Sequence, residues 1–107
     1  MERVGFRLKV RRDLMDEYAR RHEAVWPEML EALRATGWGN YSIFLDRADG
    51  ALFGYFETSD LEASLVGMSN LEINERWQND MAPFFEDLDG VPTGEGFQKL
   101  EQVFFLQ

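Results

Sequence analysis

The sequence lacks cysteine and contains a single histidine, His22, so most sulfur and metal chemistry is excluded from the start. Without thiols the chain can form no disulfide, no thiolate nucleophile and no thiolate metal site. A zinc or iron site would need several carboxylates beside the one imidazole, and the sequence shows no such cluster. We therefore predict no metal site.

Long apolar runs are also absent, and none approaches the roughly 20 residues that a membrane-spanning helix needs. The first ten residues, MERVGFRLKV, alternate charged and apolar side chains. This alternation is typical of a strand and differs from the continuous apolar core of a secretory signal. We expect no membrane partner and a cytoplasmic location.

Basic residues are scarce beside acidic ones, with 11 Lys and Arg against 20 Asp and Glu and a formal net charge of −9. A phosphate backbone would be repelled over most of such a surface, so we expect no nucleic-acid partner. The length of 107 residues predicts a single domain over residues 1–107. A small neutral or weakly charged ligand suits this charge balance best.

The sequence does contain clear strand and helix patterns. Apolar residues alternate from Val4 to Val10 and predict a half-buried strand. Asp13 is predicted to cap the helix that follows. Along that helix Tyr18 and His22 recur at helical spacing, so they share one face.

Pro27 interrupts this helix, and the apolar spacing then continues as far as Gly37. We predict a break followed by a second helix, because proline is well placed at the first position of a helix and glycine just after its end. His22 therefore lies near the end of the first helix and beside the break. A side chain in such a position can face a cavity that holds a ligand.

The rest of the chain completes an α+β pattern. The predicted elements are a hairpin over residues 39–58 with Asp49-Gly50 in its turn, a helix from the Asp60 cap to about Met68, a helix over residues 71–81, a loop over residues 86–96 and a strand over residues 97–106. The order strand, helix, strand, strand, helix, strand predicts a ferredoxin-like βαββαβ fold with an antiparallel sheet.

Such a sheet carries helices on one face only. The other face would expose apolar residues such as Phe44, Val103 or Phe105, depending on register. The same face of a second copy is the simplest cover, so the sequence predicts a homodimer.

His22, Tyr18 and Tyr41 are the candidate functional residues. A lone histidine on an apolar face is usually structural, and each tyrosine or Trp77 taken alone fits an aromatic core. Together, one imidazole and two phenols form a neutral set that can transfer protons.

Four segments, EYARRHEAVWPEM, GNYSIFLD, NERWQNDM and LEQVFFL, resemble the L-rhamnose mutarotase family in the same order and over nearly the full length. The resemblance implies a homodimeric, ferredoxin-like fold of the dimeric α/β barrel type. It also implies an enzyme that interconverts the α and β anomers of L-rhamnose without a cofactor or metal.

By motif, His22 matches the proton donor of the family, and Tyr18, Tyr41, Arg76 and Trp77 match its sugar-binding positions. Family members can carry a second tryptophan where this chain has Gln78. L-Fucose and other 6-deoxyhexoses therefore remain alternatives to L-rhamnose.

Two other functions are compatible with the same architecture. Cofactor-free monooxygenases and haem-degrading proteins use it, and it also serves as a non-catalytic ligand-sensing module. A fold alone does not decide between them.

Overall fold

A four-stranded antiparallel sheet with helices on one face forms the framework of the protein, as seen in a computed structural model that describes residues 1–86 and 98–107. The strands are β1 (Glu2–Lys9), β2 (Gly39–Asp46), β3 (Ala51–Thr58) and β4 (Gln98–Leu100). The helices are α1 (Met15–Glu23), α2 (Pro27–Ala35), α3 (Leu61–Ser69) and α4 (Glu72–Met81), with 3₁₀ turns at Arg12–Leu14 and Ala82–Phe84.

The strand order β2-β3-β1-β4 is that of a ferredoxin-like fold. Strand β1 lies inside the sheet and pairs antiparallel with both β3 and β4, while β2 pairs antiparallel with β3. The predicted βαββαβ order is therefore confirmed, with each helical connection divided into two short helices.

The helices cover one face of the sheet, and the core lies between them. Alternate residues of β1 and β3 point into it, including Val4, Phe6, Leu52 and Phe56, which are 0 to 2% exposed. Because side chains alternate across a strand, their neighbours point to the other face, which we call the open face. Phe44 and Phe53, which are paired in register, lie on this face and are 65% and 42% exposed.

Local signals in the sequence place most element boundaries correctly. Trp26 has non-helical dihedral angles (φ −54°, ψ 132°), and Pro27 opens α2 at its first turn, so the predicted break and restart are confirmed. Gly37 has φ +93° and Gly50 has φ +83°, values that glycine adopts without steric cost. The Asp60 carboxylate accepts from the Ala63 amide at 3.1 Å and caps α3 as predicted.

Two predicted features are wrong. Asp13 does not cap α1, because it lies inside the 3₁₀ turn and the residue before the helix is Leu14. The sequence pattern predicts a last strand over residues 97–106, but among the described residues only Gln98–Leu100 pairs with β1, although β1 continues past Gly5, the partner of Leu100, to Glu2. Phe97 and the predicted loop after Glu86 lie outside the described residues.

Within residues 1–86 and 98–107, no helix is long and apolar enough to cross a membrane. The same residues contain no group of three or more His, Asp or Glu side chains that could hold a metal ion.

Candidate functional site

The single histidine lies on α1 one turn after Tyr18, so the two side chains share one face of the helix. Their ring centroids are 4.2 Å apart and the ring planes are inclined by 32°. Tyr18 is buried, with 4% of its surface exposed, and also packs edge-on against Phe84 and Phe85. Spacing of four residues brings side chains together on a helix, which explains why the sequence alone predicted this pair.

A hydrogen bond fixes the orientation of the imidazole. Nδ1 of His22 lies 2.9 Å from the carbonyl oxygen of Tyr18. A carbonyl oxygen can only accept, so Nδ1 donates and carries a hydrogen in both the neutral and the charged ring. Nε2 is therefore the ring atom that gains and loses the titrating proton.

Trp77 approaches the histidine from α4. The His22 and Trp77 ring centroids are 5.5 Å apart and nearly perpendicular, at 82°. Trp26, the residue before the helix break, packs edge-on against Trp77 at 5.1 Å and 86°. Trp77 is only 8% exposed, whereas Trp26 is partly exposed. We call Tyr18, His22, Trp26 and Trp77 the histidine cluster.

Burial controls the ionisation of this cluster. It lowers the pKa of His22 from its ordinary value, and the hydrogen bond to the Tyr18 carbonyl opposes that change only in part. Burial also raises the pKa of Tyr18, with a smaller contribution from the charge of Tyr41. Near neutral pH the cluster therefore holds a mainly neutral imidazole beside a protonated phenol.

Tyr41 lies on β2 and packs on the core side of the sheet. Its ring stacks on Trp38 with centroids 5.5 Å apart and contacts Phe6 and Phe56 at 6.1 and 5.6 Å. The residue is 37% exposed, yet the burial of its phenol raises the pKa of Tyr41 to about 12. Its contacts with Phe6 and Phe56, which are both buried, place the Tyr41 ring on the core side of the sheet.

Arg76 points away from the histidine cluster. Successive helical residues are about 100° apart around the axis, and Trp77 occupies the direction that faces the core. Arg76 Nη2 instead donates to Glu72 Oε1 at 2.8 Å on the exposed side of α4. Among the described residues no ring contact or hydrogen bond joins Arg76 to His22 or Tyr18.

Trp26 and Trp38 are the aromatic neighbours that sequence reasoning did not assign to the site. Trp26 lies four residues after His22, a spacing that places it on the same side of the chain despite the break. Trp38 stacks at 4.1 Å on Phe56, and its indole nitrogen donates to the Ser64 carbonyl oxygen at 3.3 Å. The spacing of Trp26 was a usable signal, whereas the contacts of Trp38 depend on pairing across the fold.

Comparisons with known protein sequences identify the family of this chain. A family model described as L-rhamnose mutarotase matches residues 3–106. A curated relative from Bacillus subtilis (strain 168), named L-rhamnose mutarotase, is 40% identical over 107 residues. The alignment covers 99% of this chain and 99% of the relative. The chain belongs to the L-rhamnose mutarotase family. The family predicted from the four sequence segments is thus confirmed.

Solved structures support the same family assignment. The crystal structure of an L-rhamnose mutarotase from Formosa agariphila superposes with a TM-score of 0.82, 28% identity and 100% coverage of both chains. A crystal structure of an antibiotic biosynthesis monooxygenase has a TM-score of 0.60 at 16% identity and covers 86% of this chain and all of the other. This second likeness shows only the shared α+β fold.

Proposed function

We propose that this member of the L-rhamnose mutarotase family interconverts the α and β anomers of L-rhamnose, with His22 as the catalytic residue. The observation that carries the proposal is the hydrogen bond from Nδ1 to the Tyr18 carbonyl oxygen. It holds the imidazole in one orientation and leaves Nε2 as the atom that exchanges protons. The names of the relatives supply the substrate.

The reaction needs two proton transfers and no change of oxidation state. Nε2 of His22 takes the proton of the anomeric hydroxyl while the bond between the anomeric carbon and the ring oxygen breaks, and His22 becomes the proton donor when the ring closes. The ring oxygen takes a proton from a hydroxyl donor. The open aldehyde rotates, and ring closure returns both protons to their sources. General acid and base catalysis of this kind contributes roughly 10²- to 10⁴-fold to the rate.

Tyr18 and Tyr41 are the proposed hydroxyl groups. Burial raises the pKa of Tyr18 and brings that of Tyr41 to about 12, so both phenols keep their hydrogens near neutral pH. A protonated phenol can donate to a ring oxygen or bind a sugar hydroxyl. The Tyr18 ring also supports the imidazole at 4.2 Å.

The aromatic residues suit a 6-deoxy sugar, which has an apolar methyl group and an apolar ring face. Trp77 borders His22, and sugar contact by Trp77 is part of the proposal. Arg76 keeps its proposed sugar-binding role only if its side chain leaves Glu72 when the sugar binds.

Proton NMR saturation transfer between the two anomers tests the proposal. Irradiating the anomeric proton of one form should reduce the signal of the other in the presence of the protein. L-Rhamnose and L-fucose measured side by side would identify the preferred 6-deoxyhexose. Failure to accelerate exchange of any 6-deoxyhexose would contradict the proposal. Sugar binding without exchange would instead favour a sensing module, and oxygen uptake with a quinol would favour a monooxygenase.

We also propose that two copies associate through their open faces. Phe44 and Phe53 are exposed there, and Arg3, whose side chain lies on the same face, places its guanidinium 3.5 Å above the Phe105 ring. Leu100, opposite Gly5 in register, and Phe105 extend the apolar surface. Contact between water and so many large apolar groups is unfavourable. The open face of a second copy can cover these groups and remove that contact. Sedimentation equilibrium should give twice the monomer mass at micromolar concentration, whereas a folded monomer would contradict the proposal.

A cytoplasmic location also belongs to the proposal, and fractionation of cells that produce the protein would test it.

A further inference from the structure

A β-bulge interrupts the pairing of β2 with β3 beside Tyr41, one of the proposed sugar-binding residues. The register of the two strands shifts between Gly39 and Ser42. Two residues of β2, Asn40 and Tyr41, lie there opposite a single residue of β3, Phe56. A bulge bends its strand and changes the direction of nearby side chains, and bulges are frequent next to active sites.

Asn40 has an unusual backbone conformation inside this bulge. Its φ of +47° is the only positive value outside glycine among the described residues. Asparagine tolerates this left-handed region better than most residues, whereas β-branched residues avoid it. The Asn40 side chain also donates through Nδ2 to Glu57 Oε1 at 2.8 Å. Glu57 alternates with the buried Phe56 along β3, so this bond holds the bulge from the open face.

The bulge places Trp38 on the same side of the sheet as Tyr41. The two residues are three positions apart, and strict alternation along a strand would direct their side chains to opposite faces. Instead both rings contact the buried Phe56. Trp38 stacks on Tyr41 with ring centroids 5.5 Å apart and ring planes inclined by 26°. The Trp38 indole nitrogen donates to the Ser64 carbonyl oxygen at 3.3 Å, so the ring that supports Tyr41 is itself attached to α3.

We infer that Asn40 is a positioning residue for Tyr41, because its left-handed conformation sets the bulge that brings Trp38 against the Tyr41 ring. The inference rests on the proposed function and deepens it. A hydroxyl group that binds a reacting sugar has to be held within about 0.5 Å of its productive position, since small displacements lower the rate strongly. Asn40 is held on the open face, so its effect on the reaction passes through Tyr41.

A matched pair of substitutions separates the backbone conformation of Asn40 from its side-chain bond. Asn40→Gly and Asn40→Val both remove the bond to Glu57, but glycine accepts a positive φ and valine does not. We expect Asn40→Val to lower kcat/KM for anomer exchange of L-rhamnose by about 10-fold, and Asn40→Gly to lower it by less than about 3-fold. Equal losses in the two variants would overturn the inference. Asn70→Val is the control, because Asn70 is exposed and has φ −89°, and it should leave kcat/KM unchanged.

A double-mutant cycle with Tyr41→Phe tests whether the effect passes through the Tyr41 hydroxyl. A residue that acts only through another group has no further effect once that group is removed. In the Tyr41→Phe background, Asn40→Val should therefore change kcat/KM by less than about 2-fold. A further loss of about 10-fold in that background would assign Asn40 a general structural role and refute the inference.

The indole N–H signal of Trp38 in ¹H–¹⁵N NMR spectra reports on the bulge without a measurement of activity. Trp38→Phe identifies this signal by removing it. We expect Asn40→Val to shift the signal and to hasten its exchange with water, because Trp38 moves away from the Ser64 carbonyl oxygen. Asn40→Gly should preserve the signal. An unchanged Trp38 signal in Asn40→Val would show that Asn40 does not set the bulge.

A milder variant covers the case in which Asn40→Val does not fold. Asn40→Ala also disfavours a positive φ, but alanine lacks the β-branch, so it should show smaller changes in the same directions. Activity of Asn40→Ala equal to that of Asn40→Gly would then overturn the inference. An unmodified protein that accelerates exchange of no 6-deoxyhexose would instead refute the proposed function, so the two failures are distinguishable.

Discussion

His22 is held by three contacts, and its replacement tests chemistry separately from packing. The Tyr18 ring, the Tyr18 carbonyl oxygen and Trp77 all touch the imidazole. His22→Gln keeps a polar side chain of similar size but cannot accept and return a proton near neutral pH. We expect the rate of anomer exchange to fall by about 10²- to 10⁴-fold, as saturation transfer would measure.

The control for this change is sugar binding. If His22→Gln still binds L-rhamnose and unfolds at a temperature close to that of the unmodified protein, the lost rate is a loss of chemistry. Exchange as fast as in the unmodified protein would instead assign His22 a purely structural role.

The pH dependence of the rate is a second prediction at the residue scale. Burial lowers the pKa of His22, so the neutral ring dominates near neutral pH, and in the proposed mechanism it is this neutral ring that starts the reaction as a base. The rate should fall as pH decreases through a single apparent pKa below the ordinary value of about 6.5. A pH series of saturation-transfer rates would check this prediction, and an apparent pKa above 6.5 would contradict it.

Stability should depend on pH through the same group. Because the pKa of His22 is lower in the folded chain than in the unfolded chain, the unfolded state binds the proton more readily. The stabilising contribution is present above the unfolded pKa of about 6.5 and is lost as pH falls through the lower, folded pKa. The melting temperature should therefore decline between pH 7 and pH 5 more steeply in the unmodified protein than in His22→Gln. Equal slopes would show that His22 is not responsible.

At the scale of elements, the break between α1 and α2 positions the end of the histidine cluster. Pro27 opens α2, and Trp26 before it has extended dihedral angles (φ −54°, ψ 132°) that the proline favours. Pro27→Ala should reduce the free energy of unfolding by roughly 0.4–1 kcal/mol, because the unfolded chain gains freedom. It should also raise helix content and leave some activity, since Pro27 makes no chemical contribution.

Denaturant titration and circular dichroism would measure these effects of Pro27→Ala. Complete loss of activity with an unchanged fold would mean that Pro27 acts on the site more directly than its place at the start of α2 indicates.

At the scale of the whole molecule, a charge on the open face should dissociate the proposed dimer. Phe44→Glu introduces a carboxylate into the proposed contact, where burial of an unpaired charge is costly. Val66→Glu is the matched control, because Val66 is also exposed, at 51% against 65% for Phe44, but lies on α3. Sedimentation should show a monomer for Phe44→Glu and the unmodified mass for Val66→Glu. A dimer in both variants would place the interface elsewhere.

Features whose causes lie within a few residues could be predicted from the sequence alone. The break at Pro27, the turns at Gly37 and Gly50 and the cap at Asp60 follow from backbone geometry and local hydrogen bonds. The pairing of Tyr18 with His22 likewise follows from their spacing on one helix. The family resemblance also rests on motifs that can be read directly from the chain.

The positions at which distant segments meet depend on the folded chain as a whole. Tyr41 packs against Phe6 and Phe56 because β2 joins the sheet beside β3, and Arg76 is directed away from the histidine cluster because Trp77 takes the core side of α4. The length of β4, which ends at Leu100, likewise depends on pairing with β1, a segment far away in the chain. These outcomes are set by packing and pairing between residues far apart in the chain, which local spacing does not determine.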